Sequence, residues 1–333
     1  TLAYDLVAGE VSGDTTPDIA YQLGESSGGT VIINVLNGTS GAPLWATEFE
    51  TVVAGSGLGA NALVDRDGNG RMDVLACPRN LFWWLSDVDG SSAGSIDGGY
   101  PGHPVLHDVD ADPELEILAA GGVYGVRALD LDLTTVWADT ADLHTRVLGA
   151  VAECPDGPRY LQGHNNSPRL TIWSAADGTR LGDIALRDGV RYSPHDTVPP
   201  GSGVLGNVTV SNDLTGAGRP SALVPSSDGH LYAVDPCTTN LDWALDFRFP
   251  VGEAILADTD GDGEDEIVVT VADGYLYGID RQVLEAPLFV VENDGTGPAT
   301  GPGDDIDELV TPNTLYANWA SVVDATAYEY AVI

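Results

Sequence analysis

The stretch Asp258-Thr-Asp-Gly-Asp-Gly-Glu-Asp-Glu266 places acidic side chains at 258, 260, 262, 264, 265 and 266. Carboxylates this close repel one another unless something cationic lies among them. Asp258, Asp260, Asp262 and Glu266 converge on one point if the loop folds back, and the backbone carbonyl of Glu264 completes the ring. Oxygen ligands at alternate positions, with Gly263 at the sixth, suit a hard cation of flexible geometry, and Ca2+ fits that description.

The pattern recurs, with the seventh residue always contributing its carbonyl. Asp65, Asp67, Asn69, Arg71 and Asp73 fit throughout. Asp108, Asp110, Asp112, Glu114 and Glu116 keep every ligand but lose both glycines. Glu10, Ser12, Asp14, Thr16 and Asp18 fit with a hydroxyl in third place. The copy at Asp213–Ser221 has lost most of its acids, and near Glu153–Gly157 only the turn survives. The expectation is two to four structural Ca2+ ions, weighed against solvated acidic turns that hold no metal. An EF-hand is excluded: it needs a glutamate at the twelfth position and flanking helices. Ala76, Ala119 and Val269 stand there, and strand-like runs follow.

These loops need strands on both sides. Runs such as Ala60–Val64 and Glu253–Ala257 lead in, and Val74-Leu-Ala, Ile117-Leu-Ala-Ala and Ile267–Val271 lead out. Asp-Gly pairs at 228–229 and 273–274 mark hairpin turns. Third strands follow: Val31–Asn37, Val126–Asp130, Leu231–Asp235 and Leu276–Asp280. A fourth is led by a large apolar residue. Trp45, Trp243 and Leu288 lie eight residues after Asn37, Asp235 and Asp280, and Trp137 lies seven after Asp130. The units begin near 10, 65, 108, 153, 213 and 258. Six units of four short strands, without crossover helices, predict an all-β fold over residues 1–290, a six-bladed β-propeller with seven blades as the alternative. Surface loops are expected at Arg187–Gly203 and Asp87–Pro101. Residues 291–312 read as a Gly-, Pro- and Asp-rich linker. Residues 313–333 read as the start of a second, sandwich-like β domain, which implies a fragment of a longer protein.

The chain carries 13 basic residues, all arginine, against 51 acidic ones, a net charge of −38. That surface repels nucleic acid and anionic lipid and attracts divalent cations. Part of the charge belongs to the loops; adaptation to salt, or solubility, is a compatible reading of the rest. No apolar run reaches the roughly 18 residues a membrane helix needs. Thr1 opens directly into strand-like sequence, as after removal of a leader. Cys77, Cys154 and Cys237 make no zinc or haem pattern; one pair can bridge, and the sequence leaves open which.

Other motifs resolve to plain roles. Gly90-Ser-Ser-Ala-Gly94 matches a nucleophile pattern but lacks the strand-to-helix turn that chemistry needs, so it reads as loop. Gly55-Ser-Gly-Leu-Gly59 is followed by a strand instead of a helix and reads as a turn. The histidines at 103, 107, 144, 164, 195 and 230 show no metal-ligand spacing. In Phe82-Trp-Trp84, strand alternation sends the two indoles to opposite faces, one into the core and the other a candidate platform for a sugar or partner.

The loops at 10–18, 65–73, 108–116 and 258–266 resemble those of FG-GAP repeats, the calcium-loop blades of integrin α-subunit propellers and of many bacterial surface proteins. Asp73-Val-Leu-Ala-Cys-Pro78 is similar to the family's apolar segment, and Leu58-Gly, Leu148-Gly and Leu205-Gly stand where Phe-Gly would be. Leu-Tyr-Ala-Val-Asp235 followed by Trp243 is also similar to quinoprotein-like blades, and Asn318-Trp with Tyr328-Glu-Tyr-Ala resembles the opening of a fibronectin type III-like domain. The resemblance implies a secreted or surface-attached bacterial protein, non-enzymatic, acting in adhesion, recognition or assembly with a protein or glycan partner or with itself. The alternative is an extracellular polysaccharide-active enzyme using the propeller funnel, for which no catalytic set is readable; a quinone-dependent dehydrogenase ranks below it.

Overall fold

The computed structural model describes residues 2–24, 30–49, 61–78, 81–97, 104–110, 112, 114–121, 125–140, 149–164, 169–186, 204, 206–214, 218–259, 261, 263, 265–279, 290–293 and 316–319. These form strands and turns, with no helix among the described residues. They belong to two compact units, Thr1–Ile255 with Val269–Leu276, and Leu256–Val268 with Tyr277–Ile333.

Every sheet is an antiparallel meander in chain order. Sheet 1 comprises β1 (Leu2–Gly9), β2 (Asp18–Gly24), β3 (Val31–Leu36) and β4 (Pro43–Phe49). Sheet 2 is β5 (Ala62–Val64), β6 (Asp73–Ala76), β7 (Leu81–Leu85) and β8 (Ser92–Asp97). Sheet 3 is β9 (Val105–His107), β10 (Glu116–Gly121), β11 (Gly125–Leu129) and β12 (Thr135–Asp139). Sheet 4 is β13 (Ala150–Cys154), β14 (Gly157–Gly163), β15 (Arg169–Ser174) and β16 (Arg180–Ala185). Sheet 5 is β17 (Thr209–Ser211), β18 (Ser221–Pro225), β19 (His230–Asp235) and β20 (Asn240–Asp246). Sheet 6 has three described strands, β21 (Val251–Ala257), β22 (Glu266–Val271) and β23 (Leu276–Ile279). In the second unit, β24 (Val290–Asn293) pairs with β25 (Tyr316–Trp319), Val290 opposite Trp319. The rest of the expected linker and C-terminal segment, Leu288, and the expected loop at 187–203 lie outside the described residues.

Successive sheets bury their middle strands face to face. Ala20, Ile33 and Val35 of sheet 1 meet Val74, Ala76 and Leu85 of sheet 2. Leu75, Phe82 and Trp84 leave the other face of sheet 2 to meet Ile117, Ala119 and Leu129. Leu118, Val126 and Ala128 meet Tyr160 and Trp173, and Leu161, Leu170 and Ile172 meet Ala222, Val224, Tyr232 and Val234. Neighbouring residues of one strand thus serve two clusters, which is why these strands read as continuous apolar runs. Each buried Val, Leu, Ile or Phe among them contributes roughly 1.5–3 kcal/mol by leaving water. Trp83 joins the cluster of sheets 1 and 2, its ring 5.3 Å from Phe49, so it is packing instead of an exposed platform.

One expectation is corrected. Within 87–101, Ser92–Asp97 is the edge strand β8. An edge strand pairs on one side only and keeps exposed residues such as Ser92, Ala93 and Ser95, so its polar sequence reads as loop. The same pairing places Gly90–Gly94 in a turn and strand, without a nucleophile elbow.

The fourth strands carry a bulge at one common register. Trp45, Gly94, Trp137, Gly182 and Trp243 occupy it. Trp45 Nε1 donates to the Asp87 carbonyl of sheet 2 at 3.0 Å, and Trp137 Nε1 to the Ala175 carbonyl of sheet 4 at 2.6 Å. Beneath each indole lies a left-handed glycine, Gly90 (φ 68°) or Gly178 (φ 69°), where a Cβ would come within 2.4 or 2.5 Å of the ring. Where the bulge residue is itself glycine, the facing turn residue is larger. Leu133 (φ 70°) lies 3.9 Å from the Cβ position of Gly94, and Thr239 (φ 58°) lies 3.4 Å from that of Gly182. Holding Leu or Thr left-handed costs about 1–2 kcal/mol, which the filled volume offsets. Cys154 and Cys237 form a disulfide (Cα–Cα 5.5 Å) between sheets 4 and 5, and Cys77 is buried between sheets 2 and 3.

Gly178→Ala should destabilise by about 1–3 kcal/mol through overpacking against Trp137. Trp137→Gly should cost about 3–5 kcal/mol, and adding Gly178→Leu to it should recover part of that loss in urea unfolding. Strictly additive losses in the double variant would contradict the volume exchange.

Candidate metal centres

The loops joining the first and second strands of sheets 1, 2, 3 and 6 share a frame. The ninth residue opens the second strand and is buried: Asp18 (0% exposed), Asp73 (3%), Glu116 (2%) and Glu266 (6%). Its carboxylate accepts from the amide of the second loop residue, Val11 at 3.0 Å, Val109 at 2.7 Å or Thr259 at 2.6 Å. Asp18 and Asp73 also accept from the end of the third strand, from Gly38 N at 2.9 Å and Asp87 N at 3.1 Å. The first residue caps the loop. Glu10 accepts from Asp14 N (3.0 Å), Asp65 from Asn69 N (2.9 Å) and Gly70 N (2.8 Å), and Asp258 from Gly261 N (2.6 Å) and Gly263 N (3.1 Å). The fourth and sixth residues are left-handed in three loops: Gly13 with Thr15, Gly68 with Gly70, and Gly261 with Gly263.

Within that frame the loops differ. In 108–116, carboxylate oxygens of Asp108, Asp110 and Glu116 lie within 4.8 Å of one another, the one such group among the described residues. Asp112 and Glu114 turn their amides onto Asp110 and Asp112, at 3.2 and 2.8 Å. Burial pushes the Glu116 carboxyl up, and the charges of Asp110, Asp112 and Asp108 push it further, against the Val109 hydrogen bond. A cation placed among these carboxylates would offset their repulsion. In 65–73, Arg66 Nε donates to Asp73 at 3.4 Å and its guanidinium lies over Trp84, while Arg71 approaches Asp87 at 3.9 Å. Burial still raises Asp73, although Asp87 N and Arg66 oppose it. In 258–266, Asp260, Asp262 and Glu264 lie outside the described residues. In 10–18, the Asn37 side chain occupies the loop, donating to Asp14 at 2.8 Å and holding that carboxyl below its usual range.

Sheets 4 and 5 have dispensed with the pattern. A two-residue turn, Pro155-Asp156, joins β13 to β14. In 213–221, Arg219 at the seventh place donates to the buried Asp235, and Ser221 takes the ninth. Asn37 and Arg219 were not among the expected functional residues. Their signal was available: Asn37, Asp130 and Asp235 stand at equivalent positions at the ends of third strands, and in sheets 1 and 5 that residue meets the loop.

The described histidines have structural partners. His107 Nε2 lies 2.6 Å from Glu153, and His164 Nε2 lies 2.9 Å from Thr171 Oγ1. His230 is buried beside Asp228, which Tyr232 Oη also reaches at 2.7 Å. Burial alone would lower the His230 imidazole, but the hydrogen bond and charge of Asp228, with the charge of Asp246, hold it above its usual range.

No protein-family model matches the sequence, and no curated protein matches it. Solved structures do. BamB from Moraxella catarrhalis superposes with a TM-score of 0.51 at 15% identity, over 78% of this chain and 70% of that one. Sqt1 from Saccharomyces cerevisiae gives 0.53 at 10% identity, over 79% and 68%. BBS1N, solved in complex with ARL6DN, gives 0.55 at 12% identity, over 81% and 76%. With its in-order sheets packed face to face, the chain has the β-propeller fold. The sheets are blades.

Two outcomes are expected. A histidine raised in the folded state stabilises fully below its unfolded pKa, near 6.5, and loses that contribution as pH rises through the folded value. Stability should therefore fall above pH 6.5, and His230→Gln should flatten that window; an unchanged profile would contradict the pairing. Glu116→Gln should be neutral or stabilising in chelator and should reduce the rise in melting temperature on adding Ca2+. A full calcium response in that variant would remove Glu116 from the ligand set.

Proposed function

We propose that this chain is a calcium-stabilised, non-enzymatic propeller of FG-GAP type that works outside the cell and presents a rigid face to a protein or glycan partner. The observation that carries the reading is the loop at 108–116, where carboxylate oxygens of Asp108, Asp110 and the buried Glu116 lie within 4.8 Å of one another and burial and the neighbouring charges push Glu116 up. The donor set fits Ca2+, which takes carboxylates and backbone carbonyls in a flexible shell. Asp108, Asp110, Asp112 and Glu116 would hold the ion, with the Glu114 carbonyl. The ligands expected in 65–73 and 258–266 complete a set of two or three sites in six blades.

Two further features support the setting. The Cys154–Cys237 bridge is a feature of oxidising compartments, and the net charge of −38 disfavours nucleic-acid and anionic-lipid partners. BBS1N, which shares the fold, is solved with a protein bound to it. No helix among the described residues is long and apolar enough to cross a membrane.

Mass action gives about 2.7 kcal/mol of stabilisation at a calcium concentration 100-fold above Kd. The melting temperature should therefore be higher in millimolar Ca2+ than in excess chelator, and identical curves would remove calcium from the account. Reducing the Cys154–Cys237 bridge, which spans 83 residues, should cost up to about 4–5 kcal/mol in the chain-entropy treatment. Stability indifferent to reductant would leave the oxidising setting without support. Arrays of glycans and of extracellular proteins should give a calcium-dependent hit; turnover of a polysaccharide would overturn the non-enzymatic reading.

A further inference from the structure

We propose that in the first blade the carboxamide of Asn37 takes the place of the cation, so that the loop at 10–18 closes on a protein donor and binds no ion in the native chain. This sets a limit on the calcium reading and does not depend on whether the other loops bind.

The geometry is specific. Asn37 Nδ2 lies 2.8 Å from Asp14 Oδ2, 3.3 Å from Asp18 Oδ1 and 3.4 Å from Ser12 Oγ. These are the fifth, ninth and third places of the loop, three of the positions assigned to an ion. A cation gathering the same oxygens at about 2.3–2.6 Å would need the space that Nδ2 fills, and the amide hydrogens would point at it. The side chain cannot simply turn to offer oxygen. Its Oδ1 accepts from Ser40 N at 3.0 Å and Ser40 Oγ at 2.8 Å, so rotation breaks both bonds. The backbone donor Ser40 N identifies which end of the amide is oxygen. Main-chain donors already hold the remaining acid oxygens: Val11 N and Ser12 N donate to Asp18 Oδ2 at 3.0 and 2.6 Å, and Gly38 N to Oδ1. Only Glu10 Oε2 is enclosed without a hydrogen bond, the residual cost of closing the loop with a neutral group.

Blade 5 solves the same problem by a different exchange. There the loop contributes the cation, Arg219, and the residue equivalent to Asn37 is the carboxylate Asp235 that receives it. In both blades the end of the third strand and the loop are complementary without an ion.

The test uses the full chain. Calcium stoichiometry is measured by equilibrium dialysis, and the melting midpoint in excess chelator, for the native protein and for Asp14→Asn, Asn37→Ala and Asn37→Asp. Asp14→Asn, at an exposed position, should leave the stoichiometry unchanged. Asn37→Ala should lower the chelator midpoint by several degrees, with calcium restoring it, and Asn37→Asp should bind one more ion per chain than the native protein. Loss of one ion in Asp14→Asn would overturn the proposal, and so would an unchanged chelator midpoint in Asn37→Ala. If the native chain binds no calcium at all, the proposed function fails, and the chelator midpoint of Asn37→Ala still decides this inference.

Discussion

A carboxylate buried at the start of a strand must have its charge met locally, and four blades place one at the ninth position of the first loop. The rest of each loop follows from how that demand is answered. Backbone amides answer it first, since Val11, Val109 and Thr259 all donate to that carboxylate. A second donor comes from the end of the third strand, as Gly38 and Asp87 show. What remains is covered by Asn37 in the first blade and only in part by Arg66, 3.4 Å from one Asp73 oxygen, in the second. In the third, Asp108 and Asp110 add charge beside Glu116 instead of removing it. A frame that folds by its own hydrogen bonds does not depend on every acid, so the turn can persist at 153 and 213 where the acids are lost.

The blades are joined by a second constraint, volume at the bulge of the fourth strand. An indole lies over glycine at Trp45/Gly90 and Trp137/Gly178, and glycine faces a larger residue at Gly94/Leu133 and Gly182/Thr239. The indole N–H reaches a carbonyl of the following blade, so apolar packing and one hydrogen bond fix the same junction. Neighbouring junctions therefore differ in shape, which disfavours packing slipped by one blade.

Much of this was legible in the residues. The loops at 10–18 and 65–73, the Asp-Gly hairpins at 228 and 273 and the third strands up to Leu36, Leu129 and Asp235 lie within a residue of where spacing places them, because turn chemistry is local. The edge strand β8 reads as loop in the sequence, since a strand paired on one side needs no apolar alternation. The packing of Trp83 is not legible in the sequence, because alternation gives a face but not what covers it. The Cys154–Cys237 pairing and the role of Asn37 were hidden for a common reason. Each depends on which segments distant in sequence the blade stacking brings together. Asn37 stands in plain alignment with Asp130 and Asp235, yet a carboxamide among acids announces its role only when its hydrogen bonds are seen.

The central claim is that charge in the acidic loops is balanced by calcium in some blades and by the protein itself in others. Anomalous diffraction from crystals grown in calcium, repeated after lanthanide exchange, tests it most directly. The account predicts a peak at 108–116, with further peaks at 65–73 and 258–266, and none at 10–18, where Asn37 Nδ2 should fill the density. A peak among Ser12, Asp14 and Asp18 with Asn37 displaced, or an absence of any peak at 108–116, would contradict it.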